Sequence, residues 1–252
     1  MKKLISILLI LSIVLCLGAC GDASTDESTT VAPTTSASAD KADENTEAEE
    51  LKGMALFFDA DRYTAQKGEK TDVGDGTFSV NTSYALISKS ELQFPKDIVL
   101  DGTDITLGVT KVDELLDMGW RMYSDISDDS TVNANSYAIF YIANSKNTVC
   151  ISALNDSDSP ASVYDCPVES VSFKAQNVEF DCNGLNSTSS PADVVSTLGE
   201  PTSIRITDYF DGEGKLVKSN VFITYYYEGF EADFFFYYNG TVTEARDVDF
   251  GI

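Results

Sequence analysis

Five cysteines and no histidine set the limits of the chemistry open to this 252-residue chain. Without an imidazole there is no Ser-His-Asp triad, no Cys-His dyad and no His-ligated zinc. Cys150, Cys166 and Cys182 lie in the hydrophobic part of the chain. The runs Val149–Leu154 and Val163–Val171 flank a polar loop centred near Asp158. A symmetric hairpin there puts Cys150 opposite Cys166, where a disulfide is geometrically allowed. The other reading is three buried free thiols, which behave as small hydrophobes. Acids gather in three loops: Asp125, Asp128 and Asp129; Asp156 and Asp158; Asp208, Asp211 and Glu213. None has the spacing of a calcium-binding EF-hand loop, and Asp and Gly favour turns for backbone reasons, so no metal and no cofactor is expected. Aromatic residues crowd the two stretches around Tyr225–Tyr227 and Phe234–Tyr238. Period-two geometry sets Tyr225, Tyr227, Phe234 and Phe236 on one face and Tyr226, Phe235 and Tyr237 on the other. One set is core. The other is either cross-strand packing or a face that grips a protein or glycan, and Tyr225, Tyr227, Phe234 and Phe236 are taken as that interaction face.

The chain brings these residues to their place through an N-terminal leader. Lys2 and Lys3 precede an apolar run, Leu4 to Leu15, broken only by Ser6 and Ser12. The run is shorter than the roughly 20 residues of a bilayer-spanning helix, as in a secretory signal. Leu17-Gly18-Ala19-Cys20 resembles the lipobox of bacterial lipoproteins. That resemblance implies cleavage before Cys20 and a diacylglycerol on its thiol, with residues 1–19 as signal peptide. An ordinary secretory signal cut after Ala19 is the alternative. Residues 21–50 hold nine acids, one base (Lys41), no aromatic residue and Val31 as the only large aliphatic. Such a segment cannot offset its ordering entropy by burial, so residues 20–50 are expected to form a disordered acidic linker behind the lipid.

Beyond the linker, two stretches correspond at a constant offset of 80 residues. Leu100-Asp101 matches Phe180-Asp181, Thr110 matches Ser190, and Val112, Leu115 and Met118 match Ala192, Val195 and Leu198. Gly119 matches Gly199. Each copy has a short strand, a Thr or Ser cap, an amphipathic turn of helix and a terminal Gly. Strands are expected after each helix: 120–126, 136–143, 148–154 and 163–173, then 203–210, 221–228, 232–239 and 242–250. The turns Asp211–Gly214 and Asn239-Gly240 mark hairpins. The expected fold class is therefore α+β: two tandem repeats, 97–175 and 176–252, each a short helical segment packed on a four-stranded antiparallel sheet. Residues 51–96 form a β-rich N-terminal extension, strand-like at Met54–Phe58 and Thr77–Ile87.

The segment Asp165-Cys166-Pro167-Val168-Glu169-Ser170-Val171, followed by Ser187 to Pro201 with Val194, Leu198, Gly199 and Glu200, resembles uncharacterised surface lipoproteins of Gram-positive anaerobes. The Leu-Gly-x-Pro half is similar to the small outer-membrane assembly lipoproteins (SmpA/OmlA-like) and to β-lactamase-inhibitor-type tandem repeats. The likeness covers about residues 98–250 and departs at Cys182-Asn183, where a Gly-containing turn is expected. It implies a binding or assembly module and no enzyme. The net charge of −24 excludes nucleic acid as partner. The expectation is a membrane-anchored extracytoplasmic lipoprotein, a non-catalytic module at the cell envelope that binds an envelope protein or glycan. The alternative is a hydrolase or a solute-binding lipoprotein. The first lacks a Gly-x-Ser-x-Gly motif, and the second needs more helices than this chain supplies.

Overall fold

Alternation of apolar and polar residues builds most of this protein. In β14 (Leu216–Tyr227), Val221, Ile223 and Tyr225 are buried while Phe222, Thr224 and Tyr226 point the other way. In β15 (Phe230–Tyr238), Ala232, Phe234 and Phe236 are buried and Glu231, Asp233 and Phe235 oppose them. In β16 (Thr243–Gly251) the alternation is Val248 and Phe250 against Asp247 and Asp249. Each pattern gives a strand with one dry face. The computed structural model describes residues 52–88, 96–123, 130–227, 229–239 and 243–251. The leader at 1–19, Cys20, the linker and the loop acids Asp125, Asp128 and Asp129 lie outside them.

The remaining strands are β1 (Tyr63–Lys67), β2 (Thr71–Gly74), β3 (Thr77–Leu86), β4 (Asp97–Leu100), β5 (Thr103–Thr106), β6 (Arg121–Met122), β7 (Thr131–Val132), β8 (Ser136–Ala143), β9 (Thr148–Asn155), β10 (Ala161–Ser162), β11 (Val168–Lys174), β12 (Phe180–Asp181) and β13 (Ser203–Phe210). Eleven of the sixteen strands form one antiparallel sheet in the order β1-β3-β13-β14-β15-β16-β11-β9-β8-β6, with β2 also on β3. A three-stranded sheet, β12-β4-β5, and a small pair, β7 with β10, complete the strands. The helices are α1 (Val112–Asp117) and α2 (Pro191–Leu198).

This overturns the expected α+β class of two helix-on-four-strand units. The protein is predominantly β, with two short helices among the described residues, and the two runs of strands share one sheet. The join is β11 on β16, Ser170 to Lys174 against Gly251 to Asp247. The N-terminal extension enters the same sheet, because β3 pairs with β13 along Phe78 to Ala85. Two separate sheets would each expose edge amides and carbonyls; pairing the edges satisfies them. Hydrophobic alternation records which face of a strand is dry, not which strand lies beside it. At finer grain, Met54–Phe58 is irregular rather than a strand, and the first expected strand after α1 shrinks to β6.

One face of the large sheet packs against α1, α2 and the β12-β4-β5 sheet in a single core that includes Leu100, Leu107, Leu115, Val194, Ile223, Phe234 and Phe250. α2 begins as its sequence requires. The Ser190 hydroxyl accepts from Asp193 N–H, the Asp193 carboxylate accepts from Ser190 N–H, and Pro191 occupies the first turn. α1 starts one residue later than expected, with Lys111 at the cap. Thr110 instead accepts from Thr106 N–H, and the Glu114 carboxylate accepts from Lys111 N–H.

Candidate functional site

Tyr225, Phe234 and Phe236 are 0%, 2% and 0% exposed, so three members of the expected interaction face are core residues. The Tyr225 hydroxyl donates to the Gly199 carbonyl at 2.9 Å, just past α2. Tyr227 is half-buried, its hydroxyl donating to the Glu200 carbonyl at 2.8 Å. Both faces of these strands are aromatic, so alternation alone could not say which is covered. The helix α2 and the small sheet decide it by lying over this one. The opposite set, with Tyr226 at 58% exposure, faces outward.

On that outward face the register sets up rows across the sheet. The central row runs Ser203, Thr224, Asp233, Asp249, Ser172, Cys150 and Tyr141, each opposite the next on β13, β14, β15, β16, β11, β9 and β8. The adjacent row holds Arg205, Phe222, Phe235, Asp247 and Lys174. A concavity of about 470 Å³ opens over these rows. Phe222 and Phe235 stack at 4.5 Å, and the Arg205 guanidinium lies 4.4 Å from the Phe222 ring centre. The Thr224 hydroxyl donates to Asp233 at 2.6 Å.

The carboxylates here are strained electrostatically. The Asp249 side chain is accessible, yet neighbouring protein atoms strip water from its carboxyl. That desolvation, then the charges of Asp233 and Glu231, push its pKa up to about 6, against a weaker opposing bond with Ser172. Desolvation also raises Asp233, opposed by Thr224 and Arg205, and raises Glu231, reinforced by Asp233. Glu169, on the same face through a bulge in β11, is raised by burial and partly restored by the Ser152 hydroxyl at 3.3 Å. Further along, Tyr137, Ile139 and Tyr141 of β8 are 48%, 64% and 52% exposed. They succeed one another at every second residue and so share one face.

Of the two readings of the cysteines, the structure has the free thiols: Cys150, Cys166 and Cys182 are unpaired by any disulfide. Residues Val163–Asp165 form a 3-10 turn rather than strand, and the β9–β11 ladder begins only at Ala153–Val168. Cys166 therefore falls outside the ladder, its thiol donating to the Ser162 carbonyl at 3.3 Å, while Cys150 lies between Tyr141 and Ser172. Burial raises all three thiol pKa values, Cys182 to about 12, which keeps them protonated and poor nucleophiles. Two of the turn-region acids have hydrogen-bond donors of the chain's own, Asp211 within its turn and Asp208 from the N-terminal extension and the neighbouring strand. Asp211 accepts from the N–H groups of Glu213 and Lys215, and Asp208 accepts from Met54 N–H and the Ser219 hydroxyl.

Arg205, Phe222, Asp233, Ser172 and Asp249 were not singled out in the sequence. Their signal was present: Asp247 and Asp249 alternate with Val248 and Phe250, which places two acids on the wet side of a strand. The chain matches no protein-family model, no curated protein and no solved structure.

Proposed function

We propose that the protein is a membrane-tethered extracytoplasmic lipoprotein whose sheet unit is a non-catalytic binding module, engaging an envelope partner through the face of the large sheet that is uncovered among the described residues. The observation that carries the reading is the asymmetry of that sheet. One face is sealed by two helices and a second sheet, while the other keeps a concavity and exposed Tyr226, Tyr137, Ile139 and Tyr141. Tyr137, Ile139 and Tyr141 follow one another along β8 as an exposed apolar patch, and patches of that kind mark interaction sites, with Tyr226 a separate exposed ring five strands away on the same face. The lipobox-like Leu17-Gly18-Ala19-Cys20 supports the tether, and multiple acyl chains, at about 0.8 kcal/mol per buried CH₂, hold a protein at a bilayer without a spanning helix. No helix among the described residues is long and apolar enough to cross a membrane. The absence of histidine supports a binding role over the commonest acid–base and nucleophilic mechanisms.

Two experiments test this reading. Cys20→Ala is expected to leave an unprocessed precursor or to release the protein from membranes; a processed, lipid-labelled variant still in the membrane fraction would refute the tether. Crosslinking of the full chain in intact envelopes is expected to yield a discrete adduct that is lost in Ile139→Ser and Tyr226→Ala. An adduct unchanged by both variants would refute the face.

A further inference from the structure

The uncovered face combines two kinds of surface that one ligand would have to match. At one end are the carboxylates Glu231, Asp233 and Asp249, on the adjacent strands β15 and β16. Asp233 and Asp249 are direct cross-strand neighbours, an arrangement of like charges that is unfavourable unless a cation relieves it. Arg205 reaches this group from β13 while stacked on Phe222, and Lys174 of β11 stands opposite Asp247. Neither of these register pairings places a base opposite Asp249. At the other end are the exposed side chains Ile139 and Tyr141 of β8. The two ends lie on one row of the sheet, since Asp249 leads through Ser172 and Cys150 to Tyr141. Three strand spacings of ~4.8 Å separate β16 from β8, about 14 Å. An extended polypeptide covers that distance in about four to five residues.

Resting on the reading of this face as the binding surface, we infer that its occupant is a basic, extended polypeptide segment of a partner protein, with arginine or lysine side chains over the Asp233–Asp249 pair and apolar side chains against Ile139 and Tyr141. A metal ion or a simple polyamine matches the acids and leaves the apolar end wet. A second copy of this chain brings the same carboxylates and a net charge of −24 against their like. The protein's own residues 21–50 carry nine acids and one base and are repelled for the same reason. Arg205 shows how the face accommodates a guanidinium, over an aromatic ring and within the electrostatic reach of Asp233.

The test is fluorescence anisotropy on the full chain in detergent. One labelled peptide carries arginines followed, about four residues on, by leucines; its counterpart has glutamates in place of the arginines. The arginine peptide is expected to bind and the glutamate peptide not. Asp233→Asn with Asp249→Asn, which keeps side-chain shape, is expected to weaken binding at least tenfold, and Ile139→Ser severalfold. Asp104→Asn with Glu213→Gln removes the same charge from exposed positions off this face and is expected to leave affinity unchanged. Equal binding of both peptides, no binding of either, or equal losses from the two charge-neutralised pairs would overturn the inference. Its failure is separable from that of the binding-face reading. If the envelope crosslink depends on Ile139 but survives neutralisation of Asp233 and Asp249, the face stands and its basic partner does not.

Discussion

Tyr225 and Tyr226 are chain neighbours in opposite environments, one sealed under α2 and hydrogen-bonded to Gly199, the other more than half exposed. Tyr225→Ala is expected to cost about 3–5 kcal/mol, the range for truncating a buried aromatic. Tyr226→Ala is expected to change stability by no more than about 0.5 kcal/mol. Urea denaturation midpoints of the two variants check this directly. Asp249 gives a second expectation at this scale. Its folded pKa, about 6, lies above the ordinary 3.8, so between these values the native state holds a proton that the unfolded chain releases. Stability therefore falls as pH rises across that window. The charged and titratable groups around it are Asp233 and Glu231 on β15, Asp247 on its own strand, Glu169 and Lys174 on β11, Cys150 on β9 and Arg205 on β13. Asp249→Asn is expected to flatten the melting temperature between pH 4 and pH 6.5, approximately the titration window. An unchanged slope would remove Asp249 from the account.

At the scale of elements, what was legible in the sequence was local. Ser190, Pro191 and Gly199 delimit α2 through contacts within a few residues, and the helix lies where they place it. Ser190→Ala is expected to cost about 1 kcal/mol through loss of the cap. Gly199 sits at φ 80°, ψ −159°, a region almost closed to residues with a Cβ, so Gly199→Ala is expected to cost about 1–3 kcal/mol. Denaturation of both variants, with far-UV circular dichroism to confirm the fold, measures the two effects. Thr110 looked equivalent to Ser190 but serves the preceding turn, because Thr106 N–H takes its hydroxyl. A cap residue competes with every nearby donor, and spacing alone does not say which donor wins. The choice between a Cys150–Cys166 bridge and free thiols was open for a related reason: a three-residue 3-10 turn and a bulge, neither legible in the alternation, set Cys166 off the ladder.

For the whole molecule the decisive feature is continuity of the large sheet. Phe173 of β11 lies 6.4 Å from Phe250 of β16 and 5.1 Å from Phe180 of β12, so the join between the two strand runs is packed as well as hydrogen-bonded. Separate repeats would melt as separate units. A shared sheet and core predict one cooperative transition for the described unit, with calorimetric and van't Hoff enthalpies in agreement. Two resolved transitions in scanning calorimetry would contradict it.

The sequence by itself determined the basic-then-apolar run that ends in the lipobox-like Leu17-Gly18-Ala19-Cys20, the acidic and core-poor composition of the stretch after it, the exclusion of histidine chemistry, and the positions of most long strands with their two alternating faces. Those properties depend on composition and on neighbours within a few residues. Tertiary structure alone decided that β11 meets β16, that β3 extends the sheet beyond β13, and that Tyr225, Phe234 and Phe236 face inward. Strand partnership joins residues far apart in the chain through backbone groups that every residue type carries, so side-chain pattern does not encode it locally. The same is true of the candidate site: Asp233, Asp249, Ser172, Cys150 and Tyr141 become neighbours only once five strands have taken their register.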